Sequence, residues 1–179
     1  MHNYTKHQCW RIRDLNEKYF EVVIAKGNLK FKAGDAVTLF NSDTPPIWIA
    51  SGIGEAWVRV IMNRDIFTNF DFGSKSIKLD SEVQSLIPDL MSEEKPSFLI
   101  TSSGISPFFS YVSTYPEKKC KICYMGDDII QENWIKSNHK LVDLKTIKKA
   151  KNLYIIGDRE ILEPKAGNLL NTCNARYLI

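Results

Sequence analysis

Ser102-Ser103-Gly104-Ile105-Ser106-Pro107 follows the apolar run Ser97 to Thr101, and this is where the sequence concentrates its capacity to hold an anion. A tight turn leaving a strand, a glycine where backbone must come close to something, and a proline in the first helical turn together make a seat for a pyrophosphate. The same features also serve an ordinary strand-to-helix connection. Thr68-Asn69, inside Ile66-Phe67-Thr68-Asn69-Phe70, offers a hydroxyl and backbone amides at the start of what reads as a single helical turn, Phe67 to Phe72. That is a second natural phosphate position, or a helix cap with no ligand.

Other chemistry finds less support. Cys120-Lys121-Ile122-Cys123 has metal or redox spacing, but a structural zinc needs four ligands and no second pair accompanies it. Inside a strand, the two thiols would point to opposite faces. His2, His7 and His139 have no nucleophile and acid at triad spacing, so hydrolase chemistry is not indicated. Aromatics and lysines do not interleave as in a single-strand nucleic-acid platform, although Trp10, Tyr19 and Phe31 on a barrel would be compatible with one.

The elements that must position these residues fall into two rhythms. Gln8 to Arg13, Tyr19 to Ala25, Ala36 to Phe40, Ile47 to Ala50, Ala56 to Asn63 and Ser76 to Leu79 are short apolar or alternating runs separated by turn-forming clusters. They predict a closed six-stranded antiparallel barrel. Asp80 to Pro96 reads as a linker. Beyond it, strands at Ser97 to Thr101, Lys121 to Met125, Leu141 to Leu144 and Leu153 to Ile156 alternate with helices at Ser106 to Ser113, Asp128 to Ser137 and Glu160 to Leu170. Such alternation implies a small parallel sheet with crossovers, which binds nucleotides at the carboxyl ends of its strands. The expected domains are residues 1–90 and 91–179.

Bulk properties agree with a folded chain. It has 179 residues, 44% hydrophobic and 25% charged, and no apolar run near the ~20 residues that span a bilayer. With a polar start and four scattered cysteines, a reducing, cytoplasmic location is expected. The net charge of +3 comes from the second half, where Lys118, Lys119, Lys121, Lys136, Lys140, Lys145, Lys148, Lys149 and Lys151 cluster. They are solvated surface charge or an attraction for phosphates and acidic protein.

Barrel first and α/β second is the plan of the ferredoxin-NADP reductase superfamily, and several segments resemble it in register. Leu29 to Leu39 is similar to the strand entry in which a Gly-containing turn precedes Val-Thr-Leu. Pro45-Pro46-Ile47-Trp48-Ile49-Ala50-Ser51 resembles the flavin motif Arg-x-Tyr-Ser followed by Ile-Ala-Ser. Ile49, Ala50 and Ser51 agree with it, while Pro45, Ile47 and Trp48 stand where the family has arginine, tyrosine and serine. The charge on the flavin diphosphate thus loses its partner; Trp48 offers a stacking surface, or is a barrel core aromatic. Ile66 to Phe70 resembles the segment capping the flavin diphosphate, and Gly73 to Leu79 the strand entry after it.

In the second half, Phe98 to Phe108 resembles the family's strand followed by Gly-Gly-Thr-Gly-Ile-Ala-Pro-Phe, with Ser102 and Ser103 in place of two glycines. Leu153-Tyr154-Ile155-Ile156-Gly157-Asp158 resembles the Tyr-(Ile/Val)-Cys-Gly-Pro strand end, with Ile156 for cysteine and Asp158 for proline. Tyr177 stands where relatives lay a terminal aromatic over the flavin, or is a plain strand residue. The resemblance implies FAD or FMN at Trp48 to Ser51, Thr68 and Asn69. It implies NAD(P)H at Ser102 to Pro107, Gly157 and Asp158, with Ile156, Gly157 and Tyr177 nearest the reacting rings. It further implies electron transfer to an acidic carrier protein at the lysine-rich half, with no nucleic acid and no membrane span. Gly126-Asp127-Asp128 would repel the extra phosphate of NADPH and favours NADH. The departures from the motifs leave a second expectation, a reductase-fold binding or regulatory module without catalysis.

Overall fold

The structure, a computed structural model, describes residues 3–90, 94–126, 129–173 and 175–178. Strands β1 (Tyr4–Asp14), β2 (Tyr19–Ala25), β5 (Trp57–Asn63) and β6 (Ser76–Asp80) form one antiparallel sheet in the order β5-β2-β1-β6. β3 (Asp35–Val37) pairs with β4 (Ile47–Trp48) on one side and with β7 (Gln84–Ser85) on the other. Bridges Leu39 to Leu79 and Ile49 to Val60 join the two sheets, so six strands close into the expected barrel. β7 is the addition: the segment read as a linker contributes a strand and buries Ile87 and Leu90.

Alternation explains which way each strand faces. On β2 the β-branched and aromatic Phe20, Val22 and Ile24 point into the barrel with Val58, Val60 and Met62 of β5. Tyr19, Glu21 and Val23 therefore point outward, and all three are buried. What buries the near end of this outer face is the second half of the chain.

That half is a five-stranded parallel sheet in the order β10-β9-β8-β11-β12, built from β8 (Ser97–Ile100), β9 (Lys121–Tyr124), β10 (Lys140–Leu141), β11 (Leu153–Gly157) and β12 (Ala175–Leu178). Chain order reverses between β8 and β11, so the sheet has a topological switch point at their carboxyl ends. Phe98, Ile100, Ile122, Tyr154 and Ile156 face α1 (Ile105–Thr114), α2 (Glu132–Asn138) and the barrel. Leu99, Cys123, Leu153 and Ile155 face α3 (Leu144–Ile147) and α4 (Arg159–Ala166).

Three differences from the sequence reading have local causes. Phe67 to Phe70 is a turn closed by the Phe70 amide on the Phe67 carbonyl, not a helical turn, so no helix dipole acts at Thr68. Leu144 to Ile147, read partly as strand, is a helix because the Asp143 carboxylate accepts the Thr146 amide at 2.7 Å and caps it. The last predicted helix stops at Ala166, and Gly167 to Asn171 tightens into a 3₁₀ turn. Asp128, where the α2 pattern was read to begin, lies outside the described residues, as does Asp127.

His139 ends α2 and sits 5.1 Å from the Phe108 ring and 5.3 Å from the Trp134 ring. Its Nδ1 accepts the Cys120 amide, which requires the neutral ring. Burial, reinforced by Lys119, lowers its pKa below the ordinary 6.5. The fold thus takes up fewer protons than the unfolded chain: this contribution is complete above about pH 6.5 and is lost as pH falls below it. The urea midpoint of the wild type should fall between pH 7 and pH 5 by more than that of His139→Phe.

Candidate functional site

The two halves meet where β2, β4 and β5 of the barrel approach the turn between β8 and α1. A crevice there, lined by Tyr19, Pro45, Pro46, Ile47, Trp48, Ile61, Asn63, Ile66, Phe67 and Ser103, encloses about 50 Å³. Sequence motifs far apart in the chain, Pro45 to Trp48 and Ser103, are thus brought together. Tyr19 fills much of the space between them: it is 6% exposed, and its hydroxyl lies near the side chains of Asn63 and Ser103. Burial, with the Asp158 carboxylate nearby, pushes its phenol up to about 12. Trp48 is 4% exposed and belongs to the apolar cluster between the halves.

Ile49, Ala50 and Ser51 are fully buried; the polar atoms of the last two hold Arg59 in place, and the Ser51 carbonyl also bonds across to the α/β half. The Ala50 carbonyl accepts from the Arg59 guanidinium at 2.9 Å, Ser51 Oγ accepts the Arg59 amide at 3.0 Å, and the Ser51 carbonyl accepts the Ser110 hydroxyl of α1 at 2.7 Å. Arg59 also lies 5.1 Å from the Phe109 ring and 3.7 Å from Glu21. Sequence reasoning missed both Arg59 and Tyr19, because an arginine or tyrosine within an alternating strand carries no motif.

The turn from Thr101 to Pro107 is packed from within. The Gly104 amide donates to the Thr101 carbonyl, and Ser103 Oγ meets Thr101 Oγ1 at 2.9 Å. Ser102 hydrogen-bonds the Tyr124 hydroxyl. Gly104, Ile105, Ser106 and Pro107 are buried, so Ser102 and Ser103 are the turn's partly open residues. A Cβ on Gly104 would stand 2.8 Å from the Gly157 nitrogen and closer still to the Ile156 carbonyl. Gly157, at φ +137°, has Thr101 in the place of its missing side chain, and the Asp158 amide donates to Thr101 Oγ1 at 2.9 Å. The two glycines serve the approach of β11 to the turn. Ile156 is buried, and its backbone pairs with Ile100 and with Tyr177 of β12. The Tyr177 ring lies outside the described residues.

Thr68 and Asn69 do not line this crevice, but the cavity they do line shares Ile66 and Phe67 with it. They line a second cavity of about 310 Å³ on the barrel, with Ser42, Thr44, Asp71, Ser74 and Lys78. It offers hydroxyls, turn amides and one ammonium, donors suited to an anionic ligand, together with the Asp71 carboxylate, which opposes one.

Strand order, barrel closure and the crevice between the halves can be matched against solved structures. One is a ferredoxin NADP+ reductase from Neisseria gonorrhoeae with bound FAD and NADP, at TM-score 0.70 and 13% identity over 94% of this chain and 91% of that one. Another is ferredoxin-NADP+ reductase from Plasmodium falciparum, at TM-score 0.69 and 13% identity over 99% and 96%. The chain has the ferredoxin-NADP+ reductase fold. Phthalate dioxygenase reductase, a modular structure for electron transfer from pyridine nucleotides to [2Fe-2S], superposes at TM-score 0.73 and 9% identity over 97% of this chain and 67% of that one. No protein-family model matches the sequence, and no curated protein sequence does.

The crevice carries a tyrosine and a tryptophan, and its 50 Å³ falls well short of the roughly 300 Å³ at which small-molecule sites begin. With Tyr19 and Trp48 as they stand, it leaves too little room to enclose a tricyclic flavin ring. The 310 Å³ cavity at Thr68 is large enough for a phosphate-bearing group. Among the described residues no metal cluster occurs, Cys120 and Cys123 pack on opposite faces of the parallel sheet, and burial raises both thiols, to about 12 and about 11. No described helix is long and apolar enough to cross a membrane.

Tyr19→Phe keeps the ring and removes the hydroxyl that faces Asn63 and Ser103. We expect it to lower stability by about 1 kcal/mol in urea denaturation, the net worth of one partly buried polar contact. Gly104→Ala, blocked by the Ile156 carbonyl, should cost more than Tyr19→Phe in the same experiment.

Proposed function

We propose that the chain is a reductase-fold binding or regulatory module, its barrel half spanning residues 1–90 and its α/β half residues 91–179, that does not pass hydride through a flavin held between them. The observation that carries this reading is the crevice that Tyr19 and Trp48 narrow to about 50 Å³. Four departures agree with it: Pro45 lacks a charge for a diphosphate, Ile47 and Trp48 replace tyrosine and serine, and Ile156 replaces a thiol at the end of β11. A nicotinamide nucleotide approaching the switch point would meet Ser102, Ser103 and the half-buried Asp158, whose carboxylate is unfavourable to a phosphate.

A second reading, a flavin-dependent NAD(P)H oxidoreductase, is favoured by the cavity at Thr68 and Asn69, which corresponds in sequence to the family's diphosphate cap. In that case the flavin would supply hydride acceptance, and the chain's part would be to hold its phosphates at Thr68 and exclude water from the seam.

Absorption spectroscopy during titration with FAD and with FMN separates the two. The module reading expects no saturable flavin spectrum and no bleaching on addition of NADH or NADPH. A yellow protein bleached by either nucleotide would falsify it, and Thr68→Ala should then weaken flavin binding by about 1.5 to 3 kcal/mol, one hydrogen bond to a charged group.

A further inference from the structure

The outer face of β1, β2 and β5 is an interface at one end and open at the other. At the near end Tyr19, Ile61 and Arg59 pack against the α/β half. At the far end Trp10 and Trp57 are 51% and 41% exposed, with ring centroids 6.2 Å apart. Trp10 is the extra residue of a β-bulge: Cys9 pairs with Ile24, and Arg11 with its next neighbour Val23. A bulge re-aims a side chain, and here it carries a tryptophan outward to meet Trp57.

Beside the tryptophans lies oriented positive charge. Arg11 and Arg13 each donate to the fully buried Glu21 carboxylate, at 3.0 and 2.9 Å, while their side chains remain 55% and 44% exposed. The carboxylate thus fixes two guanidinium forks whose outer edges face water. Counting Arg11, Arg13, Arg59 and Lys26 against Glu21 and Glu55, the face holds a surplus of positive charge. Pre-oriented forks bind carboxylates bidentately at a smaller entropic cost than free ones, and tryptophan and arginine, with tyrosine, are the residues enriched at interface hot spots.

We propose that this far end, centred on Trp10, Trp57, Arg11 and Arg13, docks an acidic segment of a partner protein that also presents aromatic or aliphatic side chains. A protein is favoured over single-stranded nucleic acid for two reasons. The rings are tilted 55° toward each other rather than set as parallel platforms for successive bases. The charge, partly cancelled by Glu21 and Glu55, is too local to follow a phosphate backbone. This site is independent of whether the crevice admits a ring.

A glutamate–tyrosine copolymer serves as the probe, with polylysine and a thymidine oligonucleotide as controls, and tryptophan emission as the readout. The copolymer should change emission saturably and lose affinity as salt rises. Trp10→Ala and Trp57→Ala, both surface changes, should each weaken it at least tenfold with an unaltered circular dichroism spectrum. Arg11→Lys keeps the charge toward Glu21 but removes the fork, and should weaken binding at least threefold. No saturable binding, equal binding by Trp10→Ala, or tighter binding of the oligonucleotide than of the copolymer would each overturn the proposal.

Discussion

A carboxylate without water must find positive charge, and Glu21 sets that condition at the centre of the molecule. Its side chain is fully buried on the outer face of the barrel, and three guanidinium groups gather around it. Leaving such a group unpaired costs several kcal/mol, whereas the pairing itself adds little net stability and chiefly fixes geometry. Arg59 carries that geometry onward, because the same side chain reaches the Ala50 carbonyl and stacks near Phe109. Barrel, seam and first helix of the α/β half are thereby set relative to one charge.

The seam explains why the chain has a reductase's outline and a different interior. Where Ile49, Ala50 and Ser51 follow the motif, they are needed for Arg59 and Ser110, and those contacts do not involve a ligand. Where the motif is abandoned, at Ile47 and Trp48, the side chains line a crevice that Tyr19 fills. Motif residues that pack are retained, and motif positions that would face a flavin ring have become apolar.

Much of the fold was legible because both periodicities are strong. Tyr19 to Ala25 reads as a strand from its β-branched alternation, and its observed bounds coincide with the reading. β7 was hidden because Gln84 and Ser85 have no strand propensity and are held only by pairing with Asp35 and Ala36. At the candidate site the turn and its glycines were visible, since such residues leave a compositional trace. Tyr19 and Arg59 were not, because their importance lies in what the opposite half brings to them, at separations in sequence that no local pattern records.

Gly104 and Gly157 fit against each other's strands so closely that neither tolerates a Cβ. Selection on packing alone would therefore preserve both, even in a lineage whose members had long ceased to bind a dinucleotide. The glycine signature by which such chains are recognised would outlast the activity it is usually taken to announce. Drift would erase instead the positions that touch only the ligand, and a descendant chain would keep the punctuation of an enzyme after losing its vocabulary.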